Sequence, residues 1–135
     1  MQYFRPSPHS VFRIGNNYGI TLLTRLRVGF SHLNEHKFNH NFLDRTDPFC
    51  SCRTNSIENS QHYLLHCPNY CIERLVLFND LCNLPGSYLP LRSERLCQIL
   101  LYGSPLSSNE DNSDILRATI KFIITTGRFK GSIFD

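Results

Sequence analysis

Residues 48–70 read PFCSCRTNSIENSQHYLLHCPNY and place three cysteines and two histidines in about one sixth of the chain. The stretch admits three readings: a zinc site, half of a disulfide framework, or a chance cluster of buried thiols. Its best donor set is Cys50, Cys52, His62 and Cys67. A single residue, Ser51, separates the first pair. Nine residues then lead to His62, and four separate His62 from Cys67. Three thiolates and one imidazole form a common structural zinc set. His66 competes with Cys67, because His62 and His66 stand four apart on one helical face. Cys71 is a more distant alternative. On an ideal helix Cys67 points well away from His62, so the set requires Pro68 to end the helix and let Cys67 turn back.

Working outward, the composition decides between metal and disulfide. The chain has 135 residues, six of them cysteine, with 41% apolar and 19% charged residues. That suits one globular domain with a modest core. MQYFRPSPHSVF, residues 1–12, shows no apolar run with a small-residue cleavage site, so no secretory signal is expected. An intracellular chain, nuclear or cytoplasmic, keeps its thiols reduced, and clustered Cys and His then point to metal. No apolar run reaches the roughly 18 residues of a membrane span, so no membrane partner is expected.

The surrounding pattern is helical. Pro6 and Pro8 make residues 1–17 an extended arm. Leu22, Leu23 and Leu26 share one face of a helix from about Ile20 to Val28, closed by Gly29. Ser31 is the expected cap of a second helix to about Asn41, with an apolar face of Leu33, Phe38 and Phe42, His36 a candidate member, and Lys37 and the other histidines more exposed. Residues 43–59 read as a loop holding Cys50 and Cys52. Asn59 or Ser60 caps a short helix over Gln61–His66. With Cys67 as cap and Pro68 in the first turn, another helix runs to about Leu81. Its expected inner side is Ile72, Leu75, Val76 and Cys82. Ser93 caps a helix to Tyr102, stopped by Gly103. A polar loop follows, and the last helix, about Asp114–Thr126, carries Ile115, Leu116, Thr119, Ile120 and Ile123, with Gly127 as its end. Cys82 and Cys97 are expected as core residues. The fold class is therefore mainly α: a small helical domain with a zinc-knuckle-like loop and little or no β-sheet. Its parts are an arm (1–17), a helical knuckle region (18–102), and a polar loop with a C-terminal helix (103–135).

Catalytic patterns are missing from the sequence. There is no Gly-x-Ser-x-Gly elbow, no Gly-rich phosphate loop, and no deaminase pattern of His-x-Glu with Pro-Cys-x-x-Cys. HLNEH, residues 32–36, places its Glu beside the wrong histidine for a His-Glu-x-x-His metalloprotease. No enzyme activity and no small-molecule substrate are expected. Charge is uneven: residues 1–54 carry seven Arg/Lys against three Asp/Glu, and residues 55–135 carry seven against eight. The N-terminal part is the one suited to phosphate.

LLTRLRVGFSHLNEHKFNHNF (22–42), PFCSC (48–52), HYLLHCPNY (62–70), LLYGS (100–104) and ILRATIKFI (115–123) together resemble a known family. They are similar to the C-terminal tail of the reverse transcriptase polyproteins of jockey-like non-LTR retrotransposons. In that family an Arg-x-Arg-x-Gly helix precedes a Cys/Cys/His/Cys knuckle. Arg25, Arg27 and Gly29 match the first element, and Cys50, Cys52, His62 and Cys67, followed by Pro68, match the second. The resemblance implies structural Zn²⁺ and engagement of RNA or DNA. The family's Tyr/Phe-x-Asp-Asp polymerase strand has no counterpart here. The chain is then a detached tail, domesticated or a decayed remnant, whose parent polymerase domain is a candidate partner. Arg25, Arg27, Lys37 and Arg53 are the expected nucleic-acid contacts, with Arg5 and Arg13, and with Tyr63 as a base-stacking candidate. The alternative is a structural module that docks on protein.

Overall fold

The computed structural model describes residues 17–44, 47–86 and 88–130. The expected arm, with Arg5 and Arg13, lies outside them except for Asn17, which opens the first helix. Among the described residues the fold is mainly helical: α1 (Asn17–Val28), α2 (Asn34–Asn39), α3 (Cys71–Cys82), α4 (Ser93–Tyr102) and α5 (Asn109–Thr126). A π-helical turn, His62–His66, and a 3-10 turn, Pro68–Tyr70, sit before α3. The extended structure among these residues is a lone antiparallel bridge between Phe49 and Ile57.

α5 is the axis of the core and packs against α1, α3 and α4. Its expected stripe of Ile115, Leu116, Thr119, Ile120 and Ile123 is buried throughout, with Phe122 beside it. α1 contributes Ile20, Leu22, Leu23 and Leu26. The Thr119 hydroxyl donates to the Leu100 carbonyl at 2.8 Å, which marks a close approach of α4 and α5. No helix among the described residues is long and apolar enough to cross a membrane.

Helix ends follow local chemistry. Gly29, at φ 73°, takes the left-handed conformation that closes α1, and the Phe30 amide reaches back to the Arg25 carbonyl at 3.0 Å. Gly127, at φ 64°, ends α5 as expected. α5 begins earlier than Asp114, because the Ser108 hydroxyl accepts from the Asp111 amide at 3.1 Å. Glu110 and Asp111 favour that helix start through the dipole. Much of the expected polar loop is therefore helix. Ser93 is the first residue of α4 rather than its cap, and Arg92 precedes it without a side-chain capping bond.

Three expectations are corrected. Ser31 does not cap a helix to Asn41. Its hydroxyl accepts from the Leu33 amide at 3.1 Å and pairs with His36 Nδ1 at 2.7 Å. The start of α2 is capped from a distance by Glu58, whose Oε1 accepts from the Asn34 amide at 2.8 Å. His36 is consequently buried, whereas Phe38 is exposed. The inner side of α3 is Arg74, Leu77 and Leu81. Ile72, Leu75 and Val76 face outward at 71%, 69% and 42% exposure, and Cys82 is exposed too. α3 carries apolar residues on both faces, so periodicity alone could not choose between them. Cys97 is buried as expected.

Candidate metal centre

The first pair of donors comes from a tight hairpin. The Phe49–Ile57 bridge is flanked by the Cys50 amide donating to the Ser56 carbonyl at 2.8 Å and the Glu58 amide to the Pro48 carbonyl at 2.9 Å. Asn55 adopts φ 57°, which Asn tolerates better than most residues and which turns the chain. The Cys52 amide points at Cys50 Sγ, 3.5 Å away. That hydrogen bond favours the thiolate form of Cys50.

The second pair comes from the π-helical turn. Asn59 starts it as expected, its Oδ1 accepting from the His62 amide at 2.8 Å. The turn closes when the Cys67 amide donates to the His62 carbonyl, five residues back, at 2.7 Å. In an α-helix, residues five apart point about 140° away from each other. The wider loop, with its bond from i+5 to i, stacks them instead. Cys67 then leaves the helix with φ −64° and ψ 123°, the extended conformation that a following proline enforces. This is how Pro68 returns Cys67 to the side of His62.

The two pairs converge. Cys50 Sγ lies 3.7 Å from Cys67 Sγ, and Cys52 Sγ lies 3.4 Å from His62 Nε2. One donor atom from each of the four residues lies within 4.8 Å of the others, and all four residues are buried. The group could hold a metal ion. His66 and Cys71, the competing donors, are exposed and stand outside it.

Burial sets the protonation of these donors. Desolvation lowers the pKa of His62, keeping its imidazole neutral and able to ligate. It pushes the Cys50 thiol up to about 12 and raises that of Cys67 as well. At Cys52 burial also acts upward, but hydrogen bonds from Thr54, whose Oγ1 lies 3.0 Å from Sγ, outweigh it and lower the pKa. A metal cation entering the site would displace thiol protons.

Around the donors lies a shell of polar residues that sequence reasoning missed. The Glu58 carboxylate, 3.9 Å from Cys50 Sγ, receives Arg128 through two guanidinium nitrogens at 2.7 and 3.0 Å. Arg128 also donates to the His32 carbonyl at 3.0 Å. Asn34 Nδ2 donates to the Phe49 carbonyl at 2.6 Å, joining α2 to the hairpin. Arg74 is buried beneath the π-helical turn. A Glu just after the Cys-x-Cys turn and an Arg on an otherwise apolar helix face were the available signals.

The expected nucleic-acid contacts are scattered. Arg53 is exposed on the hairpin, and Arg25 is half-buried in the last turn of α1. Arg27 is engaged inside the fold. Its Nε donates to the Leu101 carbonyl, its guanidinium lies 5.1 Å from the Tyr102 ring centre, and Tyr102 Oη donates to the Arg27 carbonyl at 3.0 Å. Lys37 pairs with Asp44 at 2.7 Å. Tyr63 cannot stack on a base. It is fully buried between Tyr70, Phe122 and Phe129, with its hydroxyl 2.6 Å from Thr126 Oγ1. Comparison with family models, curated proteins and solved structures finds no match.

Proposed function

We propose that this chain is a zinc-clamped, non-catalytic helical module that engages RNA or DNA. It would act in the manner of the retrotransposon reverse transcriptase tails its sequence resembles. The observation that carries the reading is the buried convergence of Cys50, Cys52, His62 and Cys67. Zinc is the ion that suits this set, being borderline-soft and tetrahedral. With metal–sulfur at ~2.3 Å and metal–nitrogen at ~2.0 Å, a tetrahedron has S–S edges of about 3.8 Å and S–N edges of about 3.5 Å. The separations of 3.7 and 3.4 Å fit those edges. Four protein donors leave no open position for substrate, which makes the role structural.

Support for a nucleic-acid surface comes from exposed aromatic and basic side chains. Phe30, Phe38 and Phe49 are exposed, and Phe30 packs against His40 with ring centres 4.2 Å apart and the rings tilted by 44°. Exposed aromatics and the exposed Arg53 are side-chain types that suit unpaired bases and phosphate. The test has two parts. Purified chain should carry about one zinc, lost in Cys50→Ser and in Cys67→Ser. It should also bind single-stranded RNA or DNA with affinity that falls steeply as salt rises. No zinc, or no binding at low salt, would remove the corresponding half of the reading.

A second reading, docking on protein, is favoured by the outward apolar side of α3. Ile72, Leu75 and Val76 form a solvent-facing stripe at helical spacing. The resemblance nominates the parent polymerase domain as the partner. Docking through this stripe predicts weak salt dependence and loss on Leu75→Asp.

A further inference from the structure

Pro68 creates a shortage of donors at the point where Cys67 is presented. Cys67 gives its amide to His62, and proline has no N–H to offer Tyr63 or Leu64. The carbonyls of Tyr63 and Leu64 are thereby denied their helical partners in a buried place, where an unpaired carbonyl is costly. Arg74 supplies all that is missing. Its Nε donates to the Leu64 carbonyl at 2.9 Å, Nη2 to Tyr63 at 3.1 Å, and Nη1 to Cys67 itself at 2.8 Å. Arg74 is 8% exposed, with its guanidinium 5.9 Å from the Phe122 ring centre. No other side chain type reaches three carbonyls with a rigid planar fork.

We propose that Arg74 is a positioning residue of the metal centre. Its fork holds the π-helical turn in the form that aims His62 and Cys67 at one ion. Its fixed positive charge also offsets the net negative charge of three thiolates and an imidazole around a divalent cation. This rests on the metal reading above and assigns to α3 a part in it. Residues that support ligands without touching metal commonly matter to affinity by about 10–100-fold.

The experiment is Co²⁺ and Zn²⁺ titration of the whole chain, with Arg74→Met, Arg74→Lys and, as a control, Leu116→Ala. Co²⁺ reports coordination directly through its visible absorption. Arg74→Met is expected to bind Zn²⁺ at least about tenfold more weakly. At saturating Co²⁺ it should show a weaker, shifted spectrum, because Cys67 no longer faces the ion. Arg74→Lys keeps the charge and loses the fork, and is expected to show the same change in smaller degree. Leu116→Ala lowers the melting temperature and leaves the spectrum unchanged, which separates positioning from general stability. Wild-type affinity and spectrum in Arg74→Met overturn the proposal. Should that variant fail to fold, wild-type behaviour of Arg74→Lys overturns it. A wild-type chain that takes up neither ion overturns the metal reading and this inference together. Binding by wild type with indistinguishable Arg74 variants overturns this inference alone.

Discussion

Arg128 and Glu58, 70 positions apart, form a two-pronged ion pair at 2.7 and 3.0 Å. It joins the turn after α5 to the residue that closes the cysteine hairpin. Glu58 is 3% exposed at its side chain and Arg128 is 22% exposed. Glu58 also caps α2, so three parts of the chain meet at one carboxylate. Replacing Arg128 with Met leaves that carboxylate buried and unpaired. The expected cost is about 3 kcal/mol, the low end for a broken buried pair because Arg128 keeps some solvent contact. Urea unfolding of Arg128→Met, and of the double variant with Glu58→Gln, measures it. The double variant should recover part of the loss.

Metal removal should act locally first. The hairpin has little apolar core of its own beyond its cysteines, whereas α1, α4 and α5 share a continuous one that also takes in Tyr63, Leu64 and Leu65 of the π-helical turn. A chelator is expected to speed amide exchange in residues 48–58 before those helices respond. Mass-resolved hydrogen exchange with and without chelator checks this. Uniform or unchanged exchange would contradict the clamp.

Gly103 is expected to tolerate no side chain. It sits at φ 86°, and a Cβ there would lie 2.8 Å from Asn112 Oδ1. That oxygen accepts from the Ser104 amide at 2.8 Å, and Asn112 Nδ2 donates to the Ser104 carbonyl at 3.0 Å. Gly103→Ala should destabilise by about 2 kcal/mol through both strain and the displaced Asn112. Thermal denaturation reads the loss.

The two faces of α3 should respond oppositely to truncation. Leu77, 1% exposed, should cost about 3 kcal/mol as Ala. Ile72 or Leu75 changed to Ser should stay within about 0.5 kcal/mol. Denaturant midpoints of the three variants decide it.

Acid should destabilise the fold through His36. Burial lowers its pKa below 6.5, and repulsion from His40 adds to that against attraction from Glu58. A buried neutral imidazole binds its proton more weakly than the unfolded one does. Its contribution is therefore complete above about pH 6.5 and is lost as pH falls through the folded value. His62 shifts in the same direction. His36→Gln should flatten part of the stability loss below about pH 6.5, measured by urea unfolding as pH is lowered.

The sequence by itself determined the helical class, the stripe of α5, the glycine ends of α1 and α5, and a candidate donor set in which His66 still competed with Cys67. Those depend on short-range rules: period, capping, left-handed glycine and ligand spacing. Tertiary structure alone decided which face of α3 turned inward, since Leu77 and Leu81 compete with Ile72 and Leu75 on equal hydrophobic terms. The inward choice follows Arg74, whose fork is needed by carbonyls seven to eleven residues back. It likewise decided that Tyr63 is core, that Cys82 faces solvent, and that Glu58 pairs with Arg128. Buried polar groups find partners by proximity in the folded chain, and no local pattern encodes a partner 70 residues away.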